Sequence, residues 1–378
     1  MFLQSLWLDN FRNYRKTSLN FKEKNLFYGP NSSGKTNLLE AIYFLAYNLP
    51  FKESDVKNLI NKQSTQAIIK AFLIDNDEKK ELLVSLNLKS QSDYSKTLLI
   101  NKKKKTVKNF IGQLKVVYFL PSDIELINSS PAQKRKYFDK LISQIDKLYY
   151  SISNQLDKII KARNKILEGI LRKKSKKEEI LFWDQKLIDY GSFIFYRRQK
   201  IVNFLNQIIN PIYQKLDNSQ NKLSINWESF LPFNKFNNLE LIKKEYRIKL
   251  NKIKNKEIEK GYSLLGPHRD NYEFLINKQK VNAYYSRSEF RKSILALKFS
   301  EGFLIQKTTG KKPIFLLDDI TSELDEENKH YLFAFLKNYL KKEGQVFITT
   351  TSKKQLNKEF LKDSLIFKIE KGKICLSP

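Results

Sequence analysis

The chain has 378 residues, 41% apolar and 13% aromatic, enough for two or three domains with cores of their own and too apolar for a disordered chain. Its formal charge of +30, from 70 basic and 40 acidic residues, points to a polyanionic partner, either nucleic acid or an anionic membrane surface; only 11 of the basic residues are arginine, so part of that charge is a general lysine-rich composition. One cysteine, Cys375, and two histidines, His268 and His330, exclude an intrachain disulfide, a cysteine metal cluster and a histidine-rich metal site.

The N-terminal MFLQSLWLDNFRNY lacks the basic start, long apolar core and small-residue cleavage site of a signal peptide, and reads as a strand. No window approaches the length of a transmembrane helix, and a reduced cytoplasm fits best. Residues 1–120 read mostly as strands. FLQSLWLDNF alternates, NLFYG is short and buried, and AIIKAFLID, KELLVSLNL and YSKTLLINKKKKTVKNF follow, the last as a hairpin with NKKKK at its turn. The exception is a helix from about Lys35 to Tyr47, with Leu38, Leu39, Ile42, Leu45 and Ala46 at helical spacing. From about Ser130 to Asn210 the pattern becomes helical, opened by Pro131, broken by the charged RKKSKKEE and ending before Pro211. That is either a two-helix arm inserted into a domain or an ordinary helical subdomain with a lysine-rich wet face. Residues 223–260 read as mixed structure. After Gly261 the sheet-like pattern returns, with strands PIFLLDD and QVFITTT, helices between them and a final hairpin SLIFKIEKGKICLS. No internal repeat is evident.

Two motifs carry chemistry. Gly29-Pro30-Asn31-Ser32-Ser33-Gly34-Lys35-Thr36 matches G-x-x-x-x-G-K-[ST], after a predicted strand and at the start of a predicted helix. Gly29 and Gly34 let successive N–H groups face a phosphate chain, and the positive end of the helix, at Asn37 and the residues before it, points to the same place. Lys35 supplies a mobile point charge for the outer phosphates, and Thr36 a hydroxyl for Mg2+. The second motif is KKPIFLLDDITSELD, in which Ile314 to Leu317 read as a central parallel strand ending in Asp318-Asp319. A carboxylate there, Asp318, can hold the Mg2+ that meets Thr36. Asp319 beside it can orient water for attack on the γ-phosphate. The bland readings are a glycine turn before a helix and a capped turn after a strand; both weaken once the two motifs share one chain. They lie roughly 280 residues apart, so the helical segment divides one ATPase head into two sequence segments.

Together these segments resemble the RecF family of bacterial recombination-repair ATPases, related to SMC and ABC-type heads. LWLDNFRNY, with Arg12, Asn13 and Tyr14, resembles the family's opening, and GPNSSGKTNLLEAIYFL its P-loop. VVYFLPSDIELINSSPAQKRKYFD, LLGPHRDNYEFLIN and LLDDITSELD are similar to three later family segments, the last being the Walker B and D-loop. The resemblance implies an α/β fold: an ABC/SMC-type P-loop ATPase head split by an inserted helical arm domain. Residues 1–122 would be the N-terminal part of the head, 123–260 the arm, and 261–378 the C-terminal part with signature, Walker B and D-loop. It also implies ATP and Mg2+ as cofactors, a weak DNA-stimulated ATPase, and a homodimer that ATP promotes and hydrolysis releases. The implied setting is recombinational repair and replication restart, on duplex and gapped DNA, with RecR, RecO and RecA and no membrane. No base-reading motif is present, so any grip on DNA is expected to be backbone-directed and salt-sensitive.

There are departures. Ser32 stands where the family commonly has a third glycine, and Asn271 where a second aspartate follows Asp270. The family's serine-x-glycine-glutamine signature is here Ser286-Arg287-Ser288-Glu289. By resemblance Ser286 meets the γ-phosphate bound to the other subunit; the bland reading is a helix N-cap with an acidic first turn. Where related families carry a γ-phosphate-sensing histidine, FITTT offers the hydroxyls of Thr349, Thr350 and Thr351. His268, beside Arg269 and Asp270, belongs either to the nucleotide or dimer surface or to a structural turn. Two rival functions stay open: a non-hydrolysing SMC-type DNA clamp, and a transporter ATPase subunit.

Overall fold

β1 (Phe2–Phe11) buries Leu3, Leu6, Leu8 and Phe11. The step from Leu3 to Leu6 breaks strict alternation and is absorbed by a bulge against the strand Gln66–Asp75. β2 (Tyr14–Asn20) returns antiparallel through a turn in which Asn10 and Arg12 take positive φ. β3 (Lys24–Tyr28) buries Asn25, Leu26 and Phe27 and leads to α1 (Lys35–Tyr47). β4 (Gln66–Asp75), β5 (Glu78–Leu88), β6 (Tyr94–Ile100) and the short β7 (Lys103–Lys104) follow, then the single turn α2 (Val107–Phe110) and β8 (Val116–Phe119). These coordinates are a computed structural model that describes residues 1–51, 55–76, 78–90, 93–341, 343–356 and 358–377.

The chain divides into two compact units, Met1–Ile124 with Glu301–Pro378, and Glu125–Ser300. The second begins with α3 (Pro131–Ile145), opened by a capping box between Ser130 and Gln133 with Pro131 in the first turn. α4 (Lys147–Leu171) and α5 (Ile180–Asp217) form an antiparallel pair, and their facing Ile and Leu residues make one apolar cluster. α5 does not stop before Pro211 as expected. It runs through it, keeping Tyr213 and Leu216 buried beyond it. β9 (Leu223–Glu228) and α6 (Leu239–Lys260) make up the mixed structure expected over 223–260. α3 adds Ile142 and α6 adds Tyr246 and Leu250 to the same apolar cluster, so the arm is a four-helix body rather than a two-helix hairpin. β10 (Asn271–Ile276), β11 (Gln279–Lys280), the single turn α7 (Val281–Tyr284) and α8 (Arg287–Thr309) follow. The expected break at 260 falls inside this unit. β9 pairs with β10, and Arg198 of α5 lies 2.7 Å from Asp270, so a cut at 260 would divide a sheet and a buried ion pair.

Two fully or nearly buried arginines set the register of these helices. Arg163 of α4 donates to Asp184 of α5 at 2.8 Å, to Glu257 of α6 at 2.6 Å and to Ser263 at 2.8 Å. Arg198 donates to both Asp139 of α3 and Asp270. Removing one partner of such a group leaves a buried charge uncompensated, at a cost of about 3–5 kcal/mol.

The first unit is completed by β12 (Ile314–Asp318), α9 (Ile320–Glu323), α10 (Glu326–Leu340), β13 (Val346–Thr350), α11 (Lys358–Leu361), β14 (Leu365–Glu370) and β15 (Lys373–Leu376). It has two sheets: an antiparallel one in the order β2-β1-β4-β5-β6-β7, and a second in the order β15-β14-β3-β13-β12-β8. In the second, β14, β3, β13, β12 and β8 run parallel and β15 closes one edge antiparallel. β3 from the N-terminal segment thus sits between β13 and β14 from the C-terminal one, and the two segments make one sheet. α1 packs in a core shared by both sheets, which is why 11 of its 13 residues are buried. No helix among the described residues is long and apolar enough to cross a membrane.

Candidate nucleotide site

The sheet order places β13 between β3 and β12, so the loop after β3 and the carboxylates ending β12 emerge at the same edge. Gly34 caps α1 with φ 114°, and a Cβ there would lie 2.4 Å from Asn13 Nδ2 and 2.8 Å from the Tyr14 hydroxyl. At Gly29 a Cβ would lie 2.1 Å from the Ile369 carbonyl oxygen. Gly29 is therefore demanded by close approach to a backbone carbonyl, and Gly34 by its positive φ together with the side chains packed against it. Ser32 adopts φ 61°, the left-handed region that favours glycine, which gives the physical reason for a glycine at this place and for its absence to cost strain. Pro30, Asn31, Ser32 and Thr36 are exposed, while Ser33 and Lys35 are buried beneath them.

Lys35 donates through Nζ to the carbonyls of Gly29 at 2.7 Å and Pro30 at 2.8 Å, so its head is tied to the loop. Burial lowers its pKa, against the opposing pull of the Asp319 and Asp318 carboxylates. The Thr36 hydroxyl donates to Asp318, 3.0 Å from Oδ1 and 2.9 Å from Oδ2. Two oxygen donors converge here, one a carboxylate, which is the hard-ligand pairing that suits Mg2+ beside a phosphate. Asp319 follows Asp318 in a left-handed conformation, φ 47°.

Several supports make contacts that the sequence does not name. Thr349 was expected among hydroxyls that could sense a γ-phosphate. Instead it donates to Asp318 Oδ1 at 2.6 Å and accepts the Asp319 N–H at 2.9 Å, holding both carboxylate residues in place. The turn after β1 supports the loop from below. Asn13 Nδ2 donates to the Ser33 carbonyl at 3.2 Å, the Tyr14 hydroxyl to the Gly34 carbonyl at 3.0 Å, and Asn37 Nδ2 to Asn13 Oδ1 at 2.7 Å. Arg12 grips Glu40 of α1 with two bonds, 2.8 and 3.0 Å. The turn between β14 and β15 joins in, with the Gly372 N–H 3.0 Å from the Ser33 carbonyl. A polar run closing a strand was the signal available, but nothing in it names its contacts.

Ser286 lies in the second unit, exposed, at the start of α8. Its hydroxyl donates to the Glu289 carboxylate, and its N–H reaches Glu289 Oε2 at 3.1 Å. The Ser288 N–H bonds back to the Ser286 hydroxyl at 3.3 Å. Ser286 is thus the N-cap of α8, with Glu289 reaching back to its N–H.

His268 also lies in that unit. Its Nε2 faces the Ser263 carbonyl at 3.3 Å, and burial, with Arg269, Arg135 and Arg163 nearby, pushes its pKa down to about 4. The unfolded chain therefore binds the proton first, and the stability His268 contributes is present above about pH 6.5 and lost as pH falls through about 4. Asp270, two residues on, is pushed up to about 6 by burial and works in the opposite direction. His268→Gln should therefore gain stability relative to wild type on acidification, by up to about 3 kcal/mol between pH 6.5 and 4. Urea unfolding of both proteins across that range measures the difference; a constant difference would show that the ring is not held neutral by burial.

A P-loop after a buried parallel strand, a carboxylate pair across one strand and a helical insertion between them define an ATPase head of the ABC and SMC type. The family model for the RecF/RecN/SMC N terminal domain matches residues 2–374. The DNA replication and repair protein RecF of Enterococcus faecalis is 33% identical over 99% of this chain and 98% of its own length. That of Thermoanaerobacter pseudethanolicus is 34% identical over 98% and 99%. A solved structure of the recombination mediator protein RecF-ATPrS in the RecFOR pathway superposes with a TM-score of 0.90 at 30% identity, over 100% of this chain and 98% of that one. An SMC head bound to the C-terminal winged-helix domain of ScpA, 15% identical with a TM-score of 0.57, shares the fold. The chain belongs to the RecF family.

Proposed function

We propose that the protein is an ATP-dependent DNA-binding protein of recombinational repair and replication restart, acting in the cytoplasm. The observation that carries the nucleotide half is the bond between Thr36 and Asp318, which unites two motifs 282 residues apart in sequence. Lys35 would hold the outer phosphates from its seat on the loop carbonyls, and the loop N–H groups with the start of α1 would bind the rest. Thr36 and Asp318 would hold Mg2+, which neutralises charge on the phosphate oxygens when bound. Asp319 would accept a hydrogen bond from the attacking water and orient it. Thr349 keeps both carboxylate residues in register for those tasks.

The DNA half rests on the charge of +30 and on family membership. RecF structures solved with ATP and with ATPrS support ATP as the nucleotide, and the RecFOR pathway in which those proteins act supports RecO and RecR as partners. We place assistance to RecA loading and an ATP-dependent homodimer in the same reading, with Ser286 reaching nucleotide held by the partner subunit. A non-hydrolysing clamp is the second reading, favoured by the engagement of the Ser286 hydroxyl with Glu289.

ATP turnover and sedimentation, each with and without duplex and gapped DNA, separate the two. DNA-stimulated turnover supports the first; ATP-dependent association without turnover supports the second. Affinity for DNA should fall steeply with salt and vary little with base sequence, because counterion release supplies it. A flat response between about 50 and 200 mM salt, or a strong preference for one sequence, would contradict backbone-directed binding.

A further inference from the structure

The chain builds one small device twice. β6 ends in Leu99-Ile100, turns at Asn101-Lys102, pairs with the two-residue β7 and enters the one-turn α2. β10 ends in Leu275-Ile276, turns at Asn277-Lys278, pairs with the two-residue β11 and enters the one-turn α7. Both central turn residues have positive φ in each copy: 48° and 63° at Asn101 and Lys102, 50° and 69° at Asn277 and Lys278. The anchoring is the same too. Asn101 N–H donates to the Glu81 carbonyl at 3.0 Å, and its side chain accepts the Glu81 N–H at 2.8 Å. Asn277 does the same with Lys222, at 3.0 and 2.9 Å. The repeat is too short for a period of tens of residues to expose it, and it escaped notice in the sequence.

The copies differ in charge. The first carries Lys102, Lys103, Lys104 and Lys105, with Lys108 in α2; all five are exposed, and none makes an ion pair among the described residues. Glu81, to which the turn is bonded, has its own carboxylate 2.9 Å from Lys70. In the second copy Gln279 stands opposite Lys103, no residue matches Lys105, and Lys280 is neutralised by Glu273 at 2.6 Å. The device therefore folds without the extra lysines.

We infer that the hairpin from Asn101 to Lys108 is a docking point for the phosphate backbone of DNA. The inference rests on the proposed DNA-binding function and gives it a place. A rigid, two-residue turn fixes where the ammonium groups project, so a backbone that meets them releases several counterions at once. Lysines without a side chain that reads base edges give grip without sequence choice.

The test combines Lys102→Gln, Lys103→Gln, Lys104→Gln and Lys105→Gln in the full chain. A charge-matched control combines Lys16→Gln, Lys62→Gln, Lys307→Gln and Lys362→Gln, four exposed lysines elsewhere in the same unit. Unchanged ATP binding and melting temperature establish that both fold. Duplex DNA binding is then titrated against salt. The hairpin variant should lose about 10-fold or more in affinity near physiological salt, and its log–log salt slope should become shallower by about 3, at about 0.9 per lost phosphate contact. The control should lose less than about 3-fold. If the wild type itself binds no DNA, the functional reading fails and this site with it. If the wild type binds and hairpin and control variants lose equally, the charge acts diffusely and the site is wrong. If the hairpin variant loses binding only to phosphatidylserine vesicles and not to DNA, the surface serves a membrane and the inference is overturned.

Discussion

Lys35→Ala abolishes tight binding of ATP-Mg2+, lowering affinity by at least about 100-fold, or about 3 kcal/mol. The Lys35 ammonium is held by the Gly29 and Pro30 carbonyls, so it is placed at the loop before any phosphate arrives. Little ordering cost remains to be met on binding. No other cation in the motif can substitute, since Gly29 to Asn37 contain no second basic residue. The side chain is 6% exposed, so truncation also opens a gap under the loop. Lys35→Met keeps the apolar stem and removes the charge. If the charge is the cause, both variants lose ATP alike while circular dichroism and melting stay near wild type. Equal affinity of wild type and Lys35→Met, measured by calorimetry, would mean that the phosphates sit elsewhere.

How much of this site could be read from the sequence follows from how local each part is. The P-loop was legible because its chemistry is written in eight consecutive residues, and the buried strand ending in Asp318-Asp319 because apolar residues run without alternation. That both segments share one sheet follows from strand order, which the wide spacing of the motifs suggested but did not specify. Thr349, Asn13 and Tyr14 were out of reach as contacts. Each touches the site through one or two side-chain polar atoms supplied by a strand or turn outside the motif it supports. α6 was missed for a different reason. Its sequence carries eight lysines and arginines, and only Ile242, Tyr246, Leu250 and Glu257 are buried, so its apolar stripe is thin. Its stability comes from packing on α4 and α5 and from Glu257 meeting Arg163, both tertiary effects that override a weak local signal. Pro211 misled for a related reason: proline ends a helix only where the lost N–H bond is not outweighed by burial on both sides.

Asp319→Asn and Ser286→Arg should fail at opposite steps. Asp319 sits at φ 47° with its N–H tied to Thr349, a left-handed position that asparagine also tolerates. The substitution therefore keeps the backbone and removes only the charge that is proposed to orient water. ATP binding is retained, turnover falls by about 100-fold or more, and any ATP-dependent dimer lives longer. Ser286 lies in the other unit, and its described bonds are to Glu289 and Ser288 alone, so Ser286→Arg should leave ATP binding intact. It places bulk and charge where a partner's nucleotide would meet the signature, and dimerisation is lost. It also breaks the cap on α8, at about 1 kcal/mol, so Ser286→Ala is needed beside it, removing the cap without the bulk. Glu289→Ala completes the set: it frees the serine hydroxyl and should strengthen the dimer if that hydroxyl reaches across. Sedimentation with ATP decides among these. Wild type that stays monomeric with ATP and DNA removes the dimer switch from this protein. Wild type and Ser286→Arg that dimerise equally well assign the interface to another surface. Loss of the dimer in Ser286→Ala to the same degree as in Ser286→Arg would show that the cap, not the contact across subunits, is what the signature supplies.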